Sequence, residues 1–198
     1  TGADLDGCFG TTTAKLSVYD NPVVKITEPT AICVNEIATL SASIGEGVFA
    51  SYSWTLYDEN RTEKAGDATG ETITLPLSKT TIFDVTAEDI HGCKSEIATT
   101  TITAKQYPII KNKESNKDYV CNGLDVEIAV ENNADYTYEW STEYANHTTS
   151  ESVSDGYNTF QDKNIDFDKE GISNYYAKLK VGLDGCYKDT TYSLSVLT

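Results

Sequence analysis

Two histidines and five cysteines carry most of the reactive chemistry available to this chain of 198 residues. His91 precedes Gly92-Cys93, and His147 stands in a Ser/Thr/Glu-rich stretch with no obvious Ser or Cys partner. Nucleophilic catalysis needs a base oriented by a third group and facing a nucleophile. No catalytic residue is expected, and the chain reads as a non-enzyme. Asp162-Lys163-Asn164-Ile165-Asp166-Phe167-Asp168 alternates oxygen donors and invites a calcium reading. An EF-hand loop, however, needs Gly at its sixth position and Glu at its twelfth, where this stretch has Phe167 and Ser173. Period-two logic instead makes Ile165 and Phe167 inward residues of a strand and the carboxylates its solvent face. No cofactor is expected, with Ca2+ as the minor alternative. No two cysteines stand at the two-to-four-residue spacing of a zinc site, so no metal ligand is expected among them.

The cysteines make sense once the chain is laid over itself. Gly7-Cys8, Pro22, Cys33 and Trp54 are followed by Gly92-Cys93, Pro108, Cys121 and Trp140, and Gly185-Cys186 closes the series. Cys8 to Cys93 spans 85 residues, Pro22 to Pro108 86, Cys33 to Cys121 88 and Trp54 to Trp140 86. Repetition at a fixed period marks repeat architectures. The reading is a C-terminal hairpin of a preceding repeat over 1–20, then full repeats over 21–106 and 107–198, cut from a longer array; the absence of Met agrees with an internal segment. Each full repeat holds an early and a late cysteine, so the expected disulfides are Cys33–Cys93 and Cys121–Cys186, with Cys8 an unpaired thiol. Such loops would contribute about 4 kcal/mol each on a chain-entropy estimate. Paired cysteines point to an oxidising, extracellular compartment.

The formal charge of −16, from 15 Lys and Arg against 31 Asp and Glu, argues against nucleic acid and anionic membranes as partners, because both need basic footprints. No run of about 18 apolar residues suggests membrane insertion by a helix.

The strand signal dominates. Tyr52, Trp54 and Leu56 alternate onto one face, as do Phe83, Val85 and Ala87. Val23–Ile26, Ile37–Ala42, Thr72–Leu75 and Ile97–Ala104 complete the first repeat. Pro108–Ile110, Val126–Val130, Tyr136–Trp140, Tyr175–Val181 and Thr190–Leu197 follow in the second. Trp54 and Trp140, repeated in mid-strand, read as core residues. Ser141–Tyr157 lengthens the second repeat and reads as an enlarged loop. Six or seven short strands per repeat indicate an all-β fold of tandem antiparallel sandwiches. Short junctions holding Pro22 and Pro108 should make the array semi-rigid.

Cys33…Thr39-Leu40-Ser41-Ala42, Tyr52-Ser53-Trp54-Thr55 and Thr81-Ile82-Phe83-Asp84-Val85-Thr86-Ala87-Glu88-Asp89-Ile90-His91-Gly92-Cys93 resemble, in order and spacing, the PKD-like, immunoglobulin-like repeats of large Bacteroidota cell-surface adhesins of the gliding-motility type. The resemblance extends over both repeats and the leading fragment. It implies a stiff, disulfide-stapled stalk in cell adhesion, located at the cell surface, whose partners are neighbouring repeats of the same chain and surface glycans or other surface proteins. The alternative is a glycan-binding module of a polysaccharide-processing protein. Tyr144, His147 and Tyr157, in or beside the enlarged loop, are the candidate ligand residues. Asn60-Arg61-Thr62 and Asn146-His147-Thr148 match the N-glycosylation acceptor pattern.

Overall fold

The computed structural model describes residues 2–3, 6, 9–45, 50–144, 147–163 and 165–197. Cys8, the expected free thiol, and Asn146 lie outside them. Among the described residues, seventeen strands and one helical turn make the fold all-β, in mainly antiparallel sheets. In chain order they are β1 (Gly2–Ala3), β2 (Phe9–Gly10), β3 (Lys25–Thr27), β4 (Ala31–Cys33), β5 (Ile37–Ser43), β6 (Ala50–Asp58), β7 (Lys64–Thr69), β8 (Thr72–Pro76), β9 (Thr81–Asp89) and β10 (Ala98–Lys105). The series continues with β11 (Tyr119–Cys121), β12 (Val126–Glu131), β13 (Thr137–Thr142), β14 (Thr148–Ser154), β15 (Tyr157–Lys163), α1 (Phe167–Glu170), β16 (Asn174–Leu183) and β17 (Cys186–Leu197).

The chain divides into two compact units. The first comprises Thr1–Pro29, Ala38–Leu75 and Thr81–Ile102. The second takes in Thr103–Thr198 together with Thr30–Ile37 and Pro76–Thr80, two segments from the first sequence repeat.

In the first unit β3-β5-β8 form one sheet, and β10-β9-β6-β7 run side by side in the other. Alternation decides what is buried, because successive side chains of a strand point to opposite faces. Ala38, Leu40 and Ala42 of β5 are buried, as are Tyr52, Trp54 and Leu56 of β6 and Phe83, Val85 and Ala87 of β9. Burying each of the larger side chains contributes about 1.5–3 kcal/mol. Trp54 Nε1 donates to Gly70 O at 2.9 Å, which satisfies the indole without leaving the core.

In the second unit β12-β15-β14 form one sheet and β11-β17-β16-β13 the other. Val126, Ile128, Val130 and Phe160 from the first meet Trp140, Ala177, Leu179, Val181 and Leu194 from the second in one apolar cluster. Trp140 stacks on Phe160 at 5.3 Å between ring centres, and its Nε1 donates to Asn158 Oδ1 at 2.6 Å. Both tryptophans are therefore core residues.

Three segments differ from the reading by periodicity. Ser141–Tyr157 is not an open loop. Thr148–Ser154 forms the outer strand of a hairpin with β15, closed by Asp155 and Gly156 at φ 51° and 80°. Two residues with positive φ make the tight turn whose twist suits a hairpin, and Asp-Gly is a preferred pair for it. Gly156→Ala should cost about 1–2 kcal/mol, the penalty of an L side chain in left-handed backbone, read as a lower melting temperature of the Trp140 signal. Pro108–Ile110 is not a strand; pairing begins beyond it, where Asn112 bridges Val130. Ile165 and Phe167 are buried as expected, but from the approach to α1 and its first residue rather than from a strand.

Candidate functional site

Two features of the second unit combine reactive groups: a buried polar cluster around His147 and a disulfide.

The cluster starts from β15. Phe160 points into the core, so Asp162, two residues on, points the same way. It is completely buried rather than on the solvent face that alternation from Ile165 predicted. Its Oδ2 accepts hydrogen bonds from Tyr175 Oη at 2.6 Å and from His147 Nδ1 at 2.7 Å. The other ring nitrogen, Nε2, lies 2.8 Å from Glu170 Oε2 at the end of α1. Tyr144 stacks on His147 at 5.0 Å and on Tyr175 at 5.2 Å, held by its hydroxyl donating to Asn174 O at 2.9 Å. Phe167 meets Tyr175 edge-on at 6.2 Å. The His147 side chain is only 5% exposed.

The electrostatics follow from these contacts. Burial opposes a charge on His147, but the hydrogen bonds to Glu170 and Asp162 outweigh it and hold its pKa above the ordinary histidine value. Burial pushes the Tyr175 phenol far above its ordinary range, helped by the bond to Asp162. With both ring nitrogens donating to carboxylates, the imidazolium has no lone pair with which to take a proton from a substrate. The arrangement is a charge staple, joining the approach to β14, β15 and α1. Asp162 Oδ2 accepts from both Tyr175 and His147, and its buried Oδ1 has no hydrogen-bond partner among the described residues.

Of the candidate ligand residues, Tyr144 and His147 come together, but inside this cluster. Tyr157 lies apart from them at the start of β15, with Lys113 Nζ 5.0 Å from its ring centre. Asp162, Glu170 and Tyr175 were not among the expected site residues. An acidic residue two positions after an inward Phe160 was the legible sign of the first. His91 is the turn residue expected: its backbone N–H and that of Cys93 donate to Asp89 Oδ1 at 2.8 and 2.9 Å.

The disulfide corrects the expected pairing. Cys33 is bonded to Cys186, with 5.8 Å between Cα atoms, and Cys93 and Cys121 are free thiols. Register explains why. Cys121 lies opposite Leu197, while Cys186 begins the same strand β17, eleven positions earlier. At about 3.3 Å per residue that separation is roughly 36 Å, and a disulfide needs Cα atoms within about 7 Å. Cys33 likewise lies opposite Lys105, whereas Cys93 precedes the far end of β10 at Ala98, roughly 23 Å away along the strand. Lys105 brings the bonded pair together. Its Nζ donates to Asp184 O at 2.8 Å, and its own carbonyl lies 4.0 Å from Cys186 Sγ. Asp184 and Gly185, at φ 50° and 88°, form the turn that presents Cys186.

No protein-family model and no curated protein matches the chain. Solved structures similar to it include an I-band fragment of titin, at 11% identity over 90% of this chain and 66% of that one, with a TM-score of 0.44. The fibronectin(III)-like modules of CbhA from Clostridium thermocellum align at 12% identity over 88% and 94%, TM-score 0.37. SGBP-B of a Bacteroides ovatus mixed-linkage glucan utilization locus, solved with a mixed-linkage heptasaccharide, aligns at 13% over 92% and 48%, TM-score 0.35. The chain spans just under two thirds of the titin fragment's length.

Proposed function

We propose that this chain is a non-catalytic, load-bearing segment of an extracellular repeat protein, a stalk that holds adhesive regions away from a cell surface. The Cys33–Cys186 bond carries the reading. It joins residues 153 positions apart, from the start of the first repeat to the last hairpin of the second. Tension entering near one cysteine leaves near the other through a covalent bond, so most of the chain lies outside the load path. A buried disulfide of this span suits an oxidising, extracellular setting. The high negative charge keeps neighbouring stalks soluble and apart.

The order of Cys, Trp and Gly-Cys elements supports the more specific reading of a surface adhesin array of the Bacteroidota gliding type, with neighbouring repeats as partners. Glycan binding at the second repeat is the competing reading. Against it, Tyr144 and His147 are committed to packing, and a sugar platform needs an exposed aromatic face. The intact chain on a glycan array should show no reproducible retention. Binding that disappears when the β14–β15 hairpin is shortened would overturn the spacer reading.

A further inference from the structure

Cys121 is presented by the same frame that presents Cys33. Each lies at the end of a three-residue strand paired in parallel with the last strand of its repeat: Cys33 opposite Lys105, Cys121 opposite Leu197. Val34 N donates to Lys105 O at 2.8 Å, and Asn122 N to Leu197 O at 2.9 Å. The following turns close alike, Glu36 N to Cys33 O at 3.0 Å and Leu124 N to Cys121 O at 3.1 Å. Asn122 is further held by Phe167 N donating to its Oδ1 at 2.9 Å. Two differences remain. Leu197, opposite Cys121, offers no ammonium where Lys105, opposite Cys33, donates to Asp184 O, and the two cysteines differ in state. Cys33 is 9% exposed and bonded to the Gly-Cys turn of the following repeat, while Cys121 is exposed and free.

The surface around Cys121 is open and mixes exposed apolar side chains with polar ones such as Ser115, Asn116 and Asp125. Tyr119, Leu124 and Leu197 are 39%, 58% and 48% exposed. A depression of about 210 Å³ beside them is lined in part by Lys117, Tyr119, Cys121 and Leu124. At the other end of the pattern, Cys93 is the counterpart of Cys186. It too follows a glycine with positive φ, Gly92 at 80° against Gly185 at 88°, and it is half-buried and free.

From this correspondence we infer that the early cysteine of each repeat bonds the late cysteine of the next, so that Cys121 and Cys93 are the open forward and backward halves of the bridge closed at Cys33–Cys186. The occupant of the Cys121 seat is the Gly-Cys hairpin turn of a following copy of this repeat, the element that already fills the Cys33 seat. Cys93 bonds the early cysteine of a preceding copy. Repeats are thereby linked in overlapping pairs, each covalently tied to both neighbours. This deepens the stalk reading and rests on its array. The chemistry is thiol–disulfide exchange with a disulfide oxidant, either a protein oxidoreductase or oxidised glutathione. One chain thiolate attacks the oxidant and forms a mixed disulfide, releasing one thiol. The second chain thiolate then displaces the other. Two chain thiols give up two electrons and two protons, and the oxidant becomes two thiols.

The test extends the chain after Thr198 with a further copy of residues 107–198, whose Lys188 position carries Lys188→Arg so that its Cys186 peptide is distinguishable by mass. After oxidation with glutathione disulfide, blocking of free thiols and unreduced peptide mapping, the original chain should show Cys33–Cys186 with Cys121 blocked. The extended chain should keep that bond and link Cys121 to the marked late cysteine. Cys121→Ser in the original second repeat should leave the marked cysteine blocked, with Cys33–Cys186 recovered as the control for folding. Cys121 remaining blockable in the extended chain, or the marked cysteine bonding within its own repeat, overturns the inference. Loss of Cys33–Cys186 from the unextended chain overturns it as well. The first two outcomes leave the stalk reading untouched, since the pulling and glycan experiments test that separately.

Discussion

Pulled by its ends, the oxidised chain should extend far less than the reduced one. The bond between Cys33 and Cys186 removes 153 residues from the stretchable contour. At about 3.4 Å per extended residue, reduction should release roughly 500 Å of additional contour. In single-molecule force spectroscopy the oxidised protein should show only the short flanking extensions, and a reductant should reveal the unfolding events of the sandwiches. Cys186→Ser should reproduce the reduced record without reductant. Equal contour lengths under the two conditions would show that the bond does not carry the load. The within-repeat pairings predicted by counting cysteines would instead shorten each repeat separately and leave the junction at Pro108 free to stretch. The two patterns of connectivity are thus separated by the length released, not merely by its presence.

The second large effect belongs to His147. Removing one partner of a buried ion pair costs about 3–5 kcal/mol, because the other charge is left uncompensated. His147→Ala leaves Asp162, completely buried, with Tyr175 as its remaining partner in the cluster. A loss of that size corresponds to a fall of more than about 10 °C in melting temperature for a domain of this size. The change should appear in the second unit, followed by Trp140 fluorescence in a Trp54→Phe background. Replacing His147 and Asp162 together by apolar residues of similar volume should recover much of the loss, since well-packed apolar groups often match a buried pair.

The same staple makes the second unit sensitive to pH. His147 has a folded pKa above its unfolded value, so the folded state binds the proton more tightly. Its contribution to stability is complete below about pH 6.5, the unfolded value, and is lost as pH rises through the folded value. As pH rises above about 6.5 the Trp140 melting temperature should fall. In His147→Ala that slope should flatten. A slope unchanged by the substitution would mean that another group governs it.

The strands that were legible in the chain were those with a clean period of two and one dry face. Tyr52, Trp54, Leu56, Phe83, Val85 and Ala87 are buried together as their alternation requires. The β14–β15 hairpin was harder to read because every residue of Thr148–Ser154 is exposed. Such a strand carries no apolar pattern, and Asp155-Gly156 was its only local sign. Asp162 was misread for a related reason. Counting alternation backward from Ile165 and Phe167 assumed one continuous strand, but β15 ends at Lys163 and α1 begins at Phe167. The break changes which face each side belongs to.

The residues alone determined the repeat, the all-β class, the two core tryptophans and the presence of cysteines in matched positions. These follow from local periodicity, which a chain carries wherever it folds. Which cysteines meet was decided only in three dimensions. Spacing along the chain made Cys33–Cys93 and Cys121–Cys186 look natural. Parallel pairing of β4 with β10 and of β11 with β17, however, sends each early cysteine to the far end of its own repeat's last strand. A disulfide needs its two Cα atoms within a few ångströms. Register, which sequence separation does not encode, excludes the bonds within a repeat, and Cys186 meets Cys33 beside Lys105 instead.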